Sequence, residues 1–188
     1  GLLKFLGANN LAIGLVKLLG IKEWFYPNIY TNTLFVNICN YAPIICETNL
    51  KYITDGDPTV NDREILRIYL GHFPGGLSVQ TLDHELQMYQ AQRFQYFDYG
   101  KKENLEKYGT ETPPEIPVKK INGMPIAMFV GNSDLLGDVK DIQWLKEQLG
   151  TNVIHYKEYD YGCATFYIGK DMSYLDDLVN VMRPYSGI

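Results

Sequence analysis

The sequence predicts an α/β fold, and three consecutive stretches between Pro125 and Phe166 carry that prediction. The apolar run PIAMFV stops at Gly131-Asn132-Ser133-Asp134, as a strand does on reaching a turn. DVKDIQWLKEQLG (138–150) then places Val139, Ile142, Leu145 and Leu149 at helical spacing, with Asp138 or Asp141 near its start and Gly150 as C-cap. A second strand-like run, NVIHYKEYDYGCATF, stops at Tyr161-Gly162-Cys163. Strand, helix and strand in this order make a right-handed βαβ crossover. Reactive groups of open α/β sheets gather beyond the carboxyl ends of strands, so Asp134 and Cys163 stand where chemistry is expected.

With 188 residues the chain is large enough for one domain and small for two. A hydrophobic fraction of 46% and a charged fraction of 21% describe a soluble globular protein. The net charge of −5, with no basic stripe, argues against a nucleic-acid surface. The first residue is Gly1 and not Met, so the expectation is a processed chain or part of a longer one. Cys39, Cys46 and Cys163 are too few for a disulfide scaffold. Cys39 and Cys46 either close a small loop in an oxidising compartment or are two buried thiols of a reduced protein. No Asn-x-Ser/Thr acceptor occurs, so glycosylation offers no sign of secretion.

Along the chain, residues 2–25 are strongly apolar but broken by Lys4, Asn9-Asn10 and Lys17, well short of the roughly 20 residues a membrane span needs. The stretch also lacks the pattern of a signal peptide, leaving a pair of buried helices or an amphipathic lid that meets lipid. Residues 28–46 are aromatic and β-branched and fit helix or strand. Asp55-Gly56-Asp57-Pro58 followed by Asn61-Asp62 resembles a calcium loop, yet Val60 and Leu66 stand where that loop needs Gly and Glu. A turn and a helix N-terminus are expected instead, with the helix over 62–70. Ser78–Phe97 reads as one long helix capped by Ser78.

His84-Glu85 begins a zinc-protease-like H-E-x-x-H, but Met88 occupies the second His position, so His84 is expected to be a packing or surface histidine. Gly76-Leu77-Ser78-Val79-Gln80 lacks the last Gly of a G-x-S-x-G nucleophile elbow. Residues 98–121, with Lys101-Lys102-Glu103 and Pro113-Pro114-x-x-Pro117, read as a loop-rich connector. Residues 171–182 place Met172, Leu175, Leu178, Val179 and Met182 on one face of a closing helix.

Three separated motifs, LGHFPGGLSVQTLDHELQMYQAQRFQYFDYG, PIAMFVGNSDLLGDVKD and IHYKEYDYGCATF, fall in one order along the chain. In that order they resemble the C-terminal half of the acid lipases, the gastric and lysosomal type of α/β-hydrolase, and the GKDMSYL ending is similar to ciliate members. The resemblance runs from about Leu18 to Met182. It implies an α/β-hydrolase fold of which this chain holds the last parallel strands and helices (121–188), preceded by a mainly helical cap or lid (1–120). Asp134, in GNSDLL, matches the position of the triad acid. Cys163, in Tyr161-Gly162-Cys163, occupies the position of the triad histidine. His155 has a family counterpart that is not the base, and His72 lies in the cap motif.

The resemblance further implies that the G-x-S-x-G serine and the oxyanion-hole loop belong to an N-terminal hydrolase half, expected as a partner on a separate polypeptide or elsewhere on the same one. A half-hydrolase exposes the cut edge of a parallel sheet, which asks for cover. Lipid or a larger protein assembly are further candidate partners, and the family suggests a secreted or lysosomal setting. No cofactor and no metal are called for. A thiol beside a carboxylate makes a poor base, so the first expectation is an impaired lipase fold serving as a scaffold component. The alternatives are the C-terminal fragment of an active lipid ester hydrolase and a non-catalytic lipid-binding module.

Overall fold

The computed structural model describes residues 10–24, 28–73 and 75–186. The readings made for residues 1–9 lie outside them. In chain order the helices and strands are α1 (Asn10–Leu18), β1 (Glu23–Trp24), α2 (Ile29–Tyr41), α3 (Pro43–Ile53), α4 (Arg63–Leu70), β2 (Leu77–Ser78), α5 (Val79–Ala91), α6 (Lys101–Tyr108), β3 (Ile126–Gly131), α7 (Val139–Leu149), β4 (Val153–Tyr159), α8 (Thr165–Ile168) and α9 (Tyr174–Met182). They fall into two compact units, one of residues 1–31 with 72–117 and one of residues 32–71 with 118–188.

In the first unit β1 and β2 pair antiparallel, Glu23 opposite Ser78 and Trp24 opposite Leu77. Val79, Leu82 and Leu86 bury one side of α5, and Lys17 of α1 makes an ion pair with Asp83. Leu15, Leu18 and Leu19 are exposed while Val16 is half-buried, so a fully buried helix is not seen at these positions of the N-terminal apolar stretch.

Helix α5 stops well before Phe97 because Gln92 turns into the left-handed region at φ 51°. Beyond it the backbone pairs across the chain: the Ile116 amide donates to Phe94 O at 2.9 Å and the Tyr96 amide to Pro114 O at 3.0 Å. The proline segment is thereby a pairing strip and not a free connector. Residues 101–108, read as loop, are helical. Gly100 at φ 87° and Gly109 at φ 75° bracket the helix, and the fully buried Asn104 ties it to Asp98 Oδ1 (2.7 Å), Glu111 O (3.0 Å) and the Tyr99 amide (3.0 Å).

Residues 28–46, which fit helix or strand, are mainly helical, and in the second unit a Cys39–Cys46 disulfide joins α2 to α3 with the Cα atoms 5.6 Å apart. Asp62, read from the sequence as the first residue of this helix, caps α4 by accepting from the Glu64 and Ile65 amides. Leu66 of α4 packs with Ala164 and with Ile168 of α8, and Leu50, Tyr69 and Leu70 close over them. Strands β3 and β4 are parallel from Ala127 opposite His155 to Gly131 opposite Tyr159, with α7 between them in sequence.

Of the two aspartates expected near the start of α7, Asp138 caps it through the Lys140 amide, and Gly150 ends it at φ 55° as expected. Helix α9 is rotated relative to expectation. Met172 and Leu178 are half-buried, as expected, together with Tyr174, Asp177 and Val181, while Leu175, Val179 and Met182 face solvent. Two polar groups set that rotation: the Tyr174 hydroxyl donates to Phe166 O at 2.9 Å, and Asp177 accepts from the Tyr159 hydroxyl at 2.8 Å.

Candidate functional site

Strand β3 ends at Gly131 and β4 at Tyr159, and two residues on, the chain at Tyr161 crosses Gly131. A Cβ on Gly131 would stand 2.5 Å from Tyr161 O, so only glycine lets the two chains pass. Directly beyond, the Asn132 amide donates to Tyr159 O and the Ser133 amide to Tyr161 O, each at 3.0 Å. The Asn132 side chain adds a bond to Asp160 at 2.6 Å. These contacts continue the parallel pairing past the strands and bring the 132–137 loop beside the 160–164 turn.

Asp134 is held by its own loop, where Oδ1 accepts from the Leu136 amide at 2.7 Å and the Gly137 amide at 2.9 Å. The half-buried Cys163 faces it. Burial first, then the charges of Asp134 and Asp55 and a hydrogen bond to Asp134, push the Cys163 thiol up to about 11. The two residues singled out from the sequence are therefore adjacent, and the thiol keeps its proton at neutral pH.

A third segment joins them. Residues 54–56 run between the two loops: the Leu135 amide donates to Thr54 O (3.0 Å), the Cys163 amide donates to the same oxygen (3.4 Å), and the Gly56 amide donates to Ser133 O (2.8 Å). Asp55 is fully buried and accepts from the Ala164 amide at 2.8 Å and from Asn61 Nδ2 at 2.7 Å. Burial raises its carboxyl above the ordinary value, against the lowering effect of the Asn61 and Ala164 bonds. Sequence reasoning placed Asp55 in a turn and missed this role. Nothing in ITDGDP marks an aspartate that accepts from an amide 109 positions away.

The histidines stand elsewhere. His155, in the strand as expected, packs its ring on Phe129 at 5.0 Å, four positions before the end of β4 and about 13 Å back along it. In the other unit, His84 lies 2.7 Å from Gln95 O with Phe97 at its edge, a packing histidine, and His72 is exposed. Among the described residues no group of three or more His, Cys, Asp or Glu side chains could hold a metal ion, and no helix is long and apolar enough to cross a membrane.

The chain is similar in sequence to known lipases. The chain is 30% identical over 177 residues to lipase member K of Homo sapiens, covering 90% of the chain and 44% of that protein. It is 33% identical over 148 residues to gastric triacylglycerol lipase of Bos taurus, covering 77% and 37%. The chain matches the C-terminal portion of the acid lipases.

Lysosomal acid lipase/cholesteryl ester hydrolase of Homo sapiens, another acid lipase, is 29% identical over 177 residues, covering 89% of the chain and 43% of that protein. The chain thus spans less than half the length of the acid lipases it matches. No protein-family model matches it. The mixture of helices with a parallel strand pair is compatible with the α/β class of this acid-lipase match.

Proposed function

We propose that this chain is the C-terminal part of an acid-lipase-type carboxylic ester hydrolase that has lost its catalytic base and acts as a non-catalytic scaffold component. Asp134 holds the position of the triad acid and Cys163 that of the triad histidine. Residues 1–120 form the cap or lid, and residues 121–188 close the hydrolase core against its N-terminal half.

The observation that carries this reading is the Cys163 thiol against the Asp134 carboxylate. Triad hydrolysis needs a group that takes the serine proton near the working pH and returns it to the leaving alkoxide. Imidazole does both. A thiol pushed up to about 11 is protonated at neutral pH and has no basic lone pair comparable to an imidazole nitrogen. Losing a triad histidine can cost on the order of 10⁶ in turnover, which leaves the fold without useful chemistry.

The test is a short-chain ester assay on the full-length polypeptide carrying this sequence. Turnover at background, rising in Cys163→His, is the expected result and would show the remaining site intact. Wild-type turnover that Asp134→Asn abolishes and Cys163→Ala leaves unchanged would overturn the reading, because a base other than residue 163 would then be at work.

A further inference from the structure

We infer that Asp55 is a positioning residue: its buried carboxylate fixes the 161–164 turn so that Cys163 faces Asp134. The inference rests on reading Asp134 and Cys163 as the facing pair of the site, and it adds the element that makes them face each other.

The geometry is that of a clamp with one carboxylate at its centre. Oδ1 of Asp55 takes the Ala164 amide and Oδ2 takes Asn61 Nδ2. The flanking main chain reaches both loops: Thr54 O receives the Leu135 and Cys163 amides, and the Gly56 amide bonds Ser133 O. An isolated antiparallel bridge between Asp55 and Asp134 records the same contact. On the other side Gly162 lies so close that a Cβ there would come within 2.5 Å of Asp55 Cβ. The Gly162 amide in turn donates to Thr165 Oγ1 at 3.0 Å, so the turn is held from both directions.

A fully buried carboxylate is costly and persists where its bonds are made. Neither α4 nor α8 needs an acidic group for its apolar packing of Leu66 against Ile168. What the carboxylate does is bond an amide one residue past Cys163. Hydrogen bonding, and not charge, is therefore its contribution to the alignment. Asparagine keeps an oxygen for the Ala164 amide, and once the Asn61 amide turns over, exchanging its Nδ2 for Oδ1, the new amide can donate to Asn61 Oδ1, a buried atom without a hydrogen bond among the described residues.

Coupling between residues 134 and 163 measures this alignment directly, without ester turnover. The readout is the iodoacetamide alkylation rate of Cys163 at pH 8, mapped by peptide mass spectrometry in the full-length polypeptide. In the native background Asp134→Asn removes a nearby charge and an acceptor and speeds alkylation about threefold, the gain in thiolate being partly offset by lower nucleophilicity. In the Asp55→Ala background the same substitution changes the rate by a factor near 1, whereas in Asp55→Asn the threefold effect returns.

Should Asp55→Ala not fold, Asp55→Ser, whose hydroxyl is too short to span Ala164 and Asn61, is expected to lose the effect in the same way. A threefold effect that survives in Asp55→Ala or Asp55→Ser overturns the inference. So does its loss in Asp55→Asn, since that would make the charge the active property. Ester turnover by the wild type would sink the proposed function and leave this result standing.

Discussion

Gly162 and Asp55 touch so closely that the glycine's missing side chain is what makes room for the aspartate. A Cβ at 162 would come within 2.5 Å of Asp55 Cβ and collide with its carboxylate. Gly162→Ala is thus an overpacking substitution against a fully buried group. It is expected to cost about 1–3 kcal/mol, read as a lower urea midpoint at unchanged slope. An unchanged midpoint would mean that the two segments part without cost.

Asp55 also makes stability depend on pH in a direction opposite to most aspartates. Burial raises its native carboxyl above the ordinary value, so the folded chain holds this proton more tightly than the unfolded chain. The associated stability is fully present below the unfolded value of about 3.9 and is lost as pH rises through the raised native value. Asparagine does not titrate. The stability of Asp55→Asn relative to wild type should therefore increase between about pH 3.5 and 7. Paired urea midpoints across that range check it, and a flat or falling difference would contradict the shift.

The Cys39–Cys46 bridge closes a short loop, the two residues being 7 positions apart, with Cys39 buried. A loop of this length is expected to stabilise by about 2–3 kcal/mol through the unfolded state. Double substitution of both cysteines by alanine should lower the thermal midpoint accordingly. Reducing agent should do the same to the wild type and nothing further to the variant.

Asn104 is the corresponding polar centre of the other unit, fully buried and bonded to Asp98, Tyr99 and Glu111. Asn104→Ala leaves all three partners short of a bond and should cost about 2–4 kcal/mol. Hydrogen exchange is the sharper readout: the Tyr99 amide should lose protection while the amides of β3 and β4 keep theirs. Protection retained at Tyr99 would show that water replaces Asn104 without penalty.

What the sequence determined by itself is local or repeats along the chain. The period of Val139, Ile142, Leu145 and Leu149 announces α7, and Asp138, Asp62 and Gly150 mark helix ends, because capping bonds span only two or three residues. The strand ends at Gly131 and Tyr159 place Asp134 and Cys163 beyond them, and the resemblance carried by the three ordered motifs agrees with the acid-lipase match.

Tertiary structure alone decided the rest. Gln92 breaks a helix whose pattern runs on, since residues 94–96 gain backbone partners at 114–116. Helix α9 turns Leu175, Val179 and Met182 of its expected face to solvent, keeping Leu178 half-buried, because Tyr174 and Asp177 bond Phe166 and Tyr159. Asp55 meets Ala164 across 109 positions of chain, and no spacing rule reaches that far. Position in sequence named the two residues at the strand ends; what turns one toward the other is a buried carboxylate whose partners only the folded chain supplies.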